Sequence, residues 1–406
     1  MSQKTSFGFH YGYVIVLCCC VMMAVNSGLA MGCAGVFFRP VSEELGASVG
    51  QFGLYMSFNF MASSLMLSIA GLLMVRYGAR LMLTLSSGVM GLCFAAMSCF
   101  DAVWQFYVAG AIIGTTLAFL FFLSFPTLIN RWFTRRIGLY MGICSASLGV
   151  GGALFNPLCV WLISELSWRG AYAALGGFVL LVITPALGLL LRDAPDAAPE
   201  STQAAAGSSE TDAGVDYTQA IRMPVLYAIL AYAFLINATA PIYLIMPSYV
   251  SGFSTVEQGG YVAAAVMLGV AVGKIALGAI NDRSHLLGVC VSSVFGMVGL
   301  TALGTGFIWA LMPGGFLFGW AFAGVSVQTP LLVRAVFGAR CYTRLYSLVA
   351  LALAVGGTVA GGWGMLADFT SYRFAFLIAG LFLLLCLTIG VSALIMPRYS
   401  DTAPGK

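Results

Sequence analysis

The sequence predicts an all-α integral membrane protein of about twelve transmembrane helices, arranged as two pseudo-symmetric six-helix bundles. Three observations predict it. Hydrophobic residues fill 61% of the 406 positions and charged residues 8%, with a mean hydropathy of +0.98, more apolar surface than a soluble domain of this size can bury. The apolar residues fall in runs of about 20, the length that crosses a hydrocarbon core. Short landmarks of the first half return in the second at a nearly constant separation.

The first six spans read as Tyr11 to Phe38, Gln51 to Met74, Leu81 to Phe100, Val103 to Ile129, Gly138 to Ser164 and Gly170 to Leu191. The run after Lys4 is longer than the apolar core of a secretory signal, so it is expected to be the first span rather than a leader. Residues 1–191 thus form one bundle. Residues 192–222 contain PDAAPESTQAAAGSSETDAG, small, polar and acidic without helical period, which predicts a flexible linker. The second bundle, 223–398, holds spans at Pro224 to Val250, Gly260 to Ile280, Leu287 to Phe307, Leu311 to Val333, Leu345 to Ala367 and Phe374 to Met396, before a short tail, 399–406.

One set of loops carries Arg76, Arg80, Arg131, Arg135, Arg136, Arg192, Arg222, Arg283, Arg334, Arg340 and Arg344, with Lys4, Arg398 and Lys406 at the chain ends; the opposite set carries Arg39, Arg169 and Arg373. The positive-inside rule then places both termini and the linker in the cytoplasm of a cell, in a plasma or bacterial inner membrane. The halves repeat: Trp168-Arg169 leading to Gly176 returns as Tyr372-Arg373 leading to Gly380, and Gly71 to Arg80 returns in Gly278 to Arg283, each about 205 residues on. Duplicated bundles of this kind mark secondary transporters with a site near the midplane.

Composition also excludes. A net charge of +4 with no dense basic patch argues against a nucleic-acid partner. The 11 cysteines, including Cys18 to Cys20, lie in apolar runs without metal-type spacing and read as free packed thiols. His10 and His285 stand near span ends without a nucleophile, metal or phosphate constellation, so no enzyme, cofactor or metal is implied.

The span from Gly260 to Arg283 carries a fixed charge, Lys274, eight residues before Asp282. That is roughly 12 Å inside the membrane, where a lysine costs about 2.5 to 3.5 kcal/mol. None of the 14 acidic residues lies inside a span, so an external anion is the expected partner. The competing readings are an amine that has shed its proton, or one facing a water-filled vestibule. Asn26, Asn59, Asn237, Tyr243 and Gln328 are mid-span polar groups able either to orient a ligand or to bond neighbouring helices. The Gly149 to Gly152 stretch with Asn156-Pro157, and Gly356-Gly357 with Gly361-Gly362, read as packing and bending devices.

These residues resemble the major facilitator superfamily over nearly the whole chain. Gly71-Leu72-Leu73-Met74-Val75-Arg76-Tyr77-Gly78-Ala79-Arg80 is similar to the superfamily's G-x-L-x-D-R-x-G-R-R motif after the second span, with Val75 at the acidic position; the second copy keeps Asp282 and Arg283. Within the superfamily, Gly35 to Pro40 with Glu44, Asn130-Arg131-Trp132-Phe133 with Arg136, Trp168-Arg169 and Gly273-Lys274 resemble the oxalate/formate antiporter and monocarboxylate transporter branch. The resemblance implies that Lys274 occupies the place of an arginine that grips a carboxylate, and that Arg76, Arg80, Asp282, Arg283, Arg131 and Arg136 act in gating. It implies an aromatic substrate contact at Phe121 or Phe122, and a roomier, more apolar cavity where Leu148 and Gly32 replace tyrosines. Oxalate-type members carry a second cation in the eleventh span; Leu351 to Val355 has none, which favours a monocarboxylate over a dicarboxylate.

The expected function is secondary active transport of a small organic anion by alternating access. It runs either as anion exchange or with a proton, in a protein that works as a monomer in the bilayer. An oxalate-type dicarboxylate antiporter and a non-transporting receptor are the alternatives. Exchange follows if Lys274 must always hold an anion to cross; symport requires the amine itself to take up and release a proton.

Overall fold

The computed structural model describes residues 11–133, 136–192, 217–338 and 342–395. Most of the expected linker, the tail, Lys4, His10, Arg135, Arg340, Arg398 and Lys406 lie outside them.

Eleven helical runs among the described residues are long and apolar enough to cross a membrane. The count differs from twelve because the fifth and sixth spans continue into each other through Ile137–Leu190. Ser167, at φ 60° and ψ 171°, breaks the helix there, and the run has two legs. The helices are α1 Gly12–Glu44, α2 Val49–Tyr77, α3 Ala79–Met97, α4 Val103–Trp132, α5 (137–166), α6 (168–190), α7 Pro224–Ser251, α8 Val256–Arg283, α9 His285–Thr305, α10 Ile308–Phe337, α11 Arg344–Phe369 and α12 Tyr372–Ile395. The linker end holds the end of α2 and the start of α7; the opposite end holds Arg39.

The start signals repeat between halves. Ser48 Oγ accepts from Gln51 N at 3.1 Å and Gln51 Oε1 accepts from Ser48 N at 3.1 Å, a capping box that opens α2. Thr255 Oγ1 accepts from Gln258 N at 3.2 Å and opens α8. At the Arg39 end, Arg169 binds the carbonyls of Ser98 and Phe100 past α3, while Arg373 lies 3.5 Å from where a methyl on Gly306 would stand, past α9. Arg169 and Arg373 therefore stand at matched positions of the two halves.

Among the described residues, four helices carry π-helical or 3₁₀ stretches. α1 passes through a π-helical stretch at Met22–Gly32, α4 through another at Ala118–Leu123, α6 through a third at Val179–Ile183, and α7 through a 3₁₀ stretch at Ala240–Ile245. Such stretches re-aim side chains and are frequent at functional sites.

Candidate functional site

The site lies where α5 of one half meets α8 of the other. Gly138, Gly142, Ser145, Gly149, Gly152 and Asn156 recur every three or four residues and so share one face of α5. Gly260, Met267, Ala271, Lys274 and Gly278 share one face of α8 in the same way. Toward the Arg39 end the two faces touch: a methyl on Gly149 would stand 2.5 Å from the Met267 carbonyl oxygen and 2.6 Å from Ala271 N. Toward the linker end, Gly138, Gly142 and Gly278 have nothing within 4 Å of where a Cβ would stand. The faces part between these levels.

Lys274 sits at that level. Its Nζ donates to Ser145 Oγ at 2.9 Å and to the Ser145 carbonyl at 3.0 Å, and its side chain is half-buried. The charge thus lies at the floor of the closed seam and the roof of the open gap. Ser145 is the partner of Lys274 that sequence reasoning missed; among so many serines only the three- and four-residue spacing from Gly142 and Gly149 pointed to it.

Other contacts between the halves lie on the Arg39 side of this level. Tyr243 Oη donates to the Met31 carbonyl at 2.6 Å, Gly50 N to Asp368 Oδ2 at 2.7 Å, Gly361 N to Ser57 Oγ at 2.8 Å, and Arg39 Nη1 to Ser251 Oγ at 3.3 Å. Among the described residues, the contacts between α5 and α8 close the Arg39 end and leave the faces of Gly138, Gly142 and Gly278 open toward the linker end.

The remaining candidates are placed as follows. Tyr243 is buried, stacked on Phe322 at 5.0 Å, and acts as a strut to α1. Phe121 and Phe122 form a perpendicular pair at 4.7 Å in the π-helical turn of α4, Phe122 the more exposed. Leu148 is buried in α5 beside Gly149, and a methyl on Gly32 would approach Gly152 Cα at 3.2 Å. Asn26 donates to Ser87 Oγ of α3 at 2.9 Å, and Asn59 lines a small closed cavity with Leu29, Tyr55 and Tyr172. Asn237 donates to the Leu353 carbonyl at 2.6 Å, and the Gln328 amide packs against Gly288 and Asn281. Asn26, Asn59 and Gln328 therefore face into their own bundles, and Asn237 ties α7 to α11. Lys274 is not brought to any of these four amides.

Of the gating candidates, Arg80 Nε donates to the Gly188 carbonyl at 2.8 Å and joins α3 to α6. Arg76 lies over the Tyr77 ring at 5.4 Å, Arg136 opens α5 at φ 55°, and Arg131, Asp282 and Arg283 are exposed at the linker end.

The family model of the Major Facilitator Superfamily matches residues 20–361. The chain belongs to the Major Facilitator Superfamily. The uncharacterised MFS-type transporter YhjX of Escherichia coli (strain K12) is 24% identical over 336 residues, 79% of this chain and 80% of that protein. Human monocarboxylate transporter 6 is 28% identical over 194 residues, 47% of this chain and only 38% of that protein. Among solved structures, the nucleoside transporter NupG (D323A mutant) superposes with a TM-score of 0.76 at 13% identity, covering 93% of this chain and 99% of that one. A bacterial homologue of the human lysosomal transporter Spinster, inward-facing and occupied, gives 0.73 at 12% identity over 98% and 100%. The chain is therefore a multi-pass membrane transporter of this superfamily and not an enzyme, with monocarboxylate transporters among its relatives.

Proposed function

We propose that this Major Facilitator protein moves a small organic anion, a monocarboxylate, by alternating access, with Lys274 binding the carboxylate. One observation carries the reading: the ammonium of Lys274 stands at the boundary between the halves, where the closed seam gives way to the gap, and its partner there, Ser145, is neutral. A cation so placed is reached from one side and then, when the halves rock, from the other. A single ammonium matches a single carboxylate. Phe121 and Phe122 supply apolar walls for the rest of the solute. The relatives named monocarboxylate transporters support the same class. Exchange for another anion and symport with a proton are the two expected couplings, and a carrier that returns empty with its charge is a third.

Thermal stabilisation of the purified protein tests this across monocarboxylates, dicarboxylates, sugars and amines, since a ligand that binds only the folded state raises its melting point. The expected result is a shift confined to monocarboxylates and lost in Lys274→Gln, which keeps much of the stem and removes the charge. At a ligand concentration of about 100 Kd the stabilisation is about 2.7 kcal/mol. A shift with neutral or cationic solutes, or one that survives in Lys274→Gln, would refute the assignment.

A further inference from the structure

The partner of Lys274 belongs to the other half of the molecule. The ammonium meets two oxygens of one residue, Ser145 Oγ at 2.9 Å and the Ser145 carbonyl at 3.0 Å. Two neighbouring acceptors are what a carboxylate would present to it. The match suits lysine, a compact point charge, better than the wide fork of an arginine. The pair also lies at the level where α5 and α8 cease to touch, the level that moves least when two bundles rock about their interface.

We propose that Ser145 stands in for the substrate carboxylate in the empty carrier. Lys274 then stays charged and hydrogen-bonded while the halves reorient without substrate, so exchange is optional and net anion movement carries one charge per cycle. The proposal rests on the anion-site reading above. Stripping a half-buried ammonium of its acceptors is what would bar the empty carrier from reorienting; Ser145 supplies those acceptors from within the chain. The charge count follows. With a monoanion bound, Lys274 and the carboxylate cancel, and the loaded crossing moves no net charge. The empty crossing takes the positive charge of Lys274 back, so a full cycle moves one negative charge inward. Anion-for-anion exchange moves none.

The test uses the full chain in liposomes with radiolabelled benzoate and pyruvate. Uptake is measured into empty vesicles and into vesicles preloaded with the same acid, under potassium diffusion potentials of either sign. In the wild type, uptake into empty vesicles is expected and is accelerated by an inside-positive potential, whereas exchange is indifferent to it. Ser145→Ala should lower uptake into empty vesicles about tenfold, the scale of a hydrogen bond to a charged group, while exchange stays within about twofold. Ser145→Thr, which keeps the hydroxyl, should restore it. A fold defect would lower both rates together, and that result overturns the proposal. So does net uptake that follows a pH gradient and ignores the potential, since the amine then returns without its proton. Wild type that exchanges without net uptake sinks the empty return and leaves the anion site standing. If neither acid moves, or Lys274→Gln transports like wild type, the site reading itself has failed, and this proposal with it.

Discussion

At Ser167 the chain turns between α5 and α6 with φ 60° and ψ 171°, a region that costs a non-glycine residue about 1 to 3 kcal/mol. The next two side chains hold the turn. Trp168 Nε1 donates to Glu44 Oε2 at 2.5 Å, and Arg169 Nε to Glu44 Oε1 at 3.0 Å. Arg169 Nη2 reaches Asp101 Oδ1 at 2.8 Å, Nη1 reaches the Phe100 carbonyl at 2.9 Å, and the guanidinium covers the Trp168 ring at 4.4 Å. A lone exposed ion pair contributes about 0 to 1 kcal/mol. Here one guanidinium joins α1, α3 and α6 at once and accepts no substitute of simpler shape. Arg169→Ala is expected to cost about 1 to 3 kcal/mol, seen as a lower melting temperature in detergent. Arg169→Lys should recover less than half, because an ammonium cannot span the same acceptors. A melting temperature unchanged in Arg169→Ala would show that the cluster contributes no stability.

At the scale of helices, the α5–α8 seam decides which end is closed. A methyl on Gly149 already approaches the Met267 carbonyl at 2.5 Å, so Gly149→Leu must hold the two helices apart at the Arg39 end. Met267 is fully buried. A cysteine placed there should react with a hydrophilic maleimide at least about tenfold faster when Gly149→Leu is added, a shift of roughly 1.4 kcal/mol in the open population. Gly142→Leu has open space in this state and should not speed the reaction; equal rates in all three proteins would mean that the seam does not control closure. The all-helical membrane fold was legible in the sequence, and Gly149 to Gly152 were legible as close-packing glycines; that their face meets α8 of the other half was not. The facing of Asn26, Asn59 and Gln328 was not, because spans that are apolar all round carry no polar face against which to set a period. The π-helical stretches of α1 and α4 left no trace either, since shifting a hydrogen-bond register requires no particular residue. Ser145 was hidden for a third reason: its role depends on a helix from the other half.

At the scale of the whole molecule, the bilayer sets a direction. Trp104, Trp309 and Phe369 are strongly exposed at the Arg39 end, where aromatic rings sit between headgroups and acyl chains. Arg39, Arg169 and Arg373 stand at this end, whereas Arg76, Arg80, Arg131, Arg136, Arg283 and Arg334 crowd the linker end. The positive-inside rule predicts that the arginine-rich side faces the cytoplasm, and the expected direction of opening in this state is therefore the cytoplasmic one. Cys99 tests the direction without any introduced residue, because it is exposed just past the end of α3, at the Arg39 end. A membrane-impermeant maleimide added to intact cells should label Cys99, and the label should vanish in Cys99→Ala. A cysteine at Gly278, which faces the gap at the linker end, should react only after the cells are permeabilised. The reverse pattern would turn the molecule over, and Lys274 would then be open to the outside in this state.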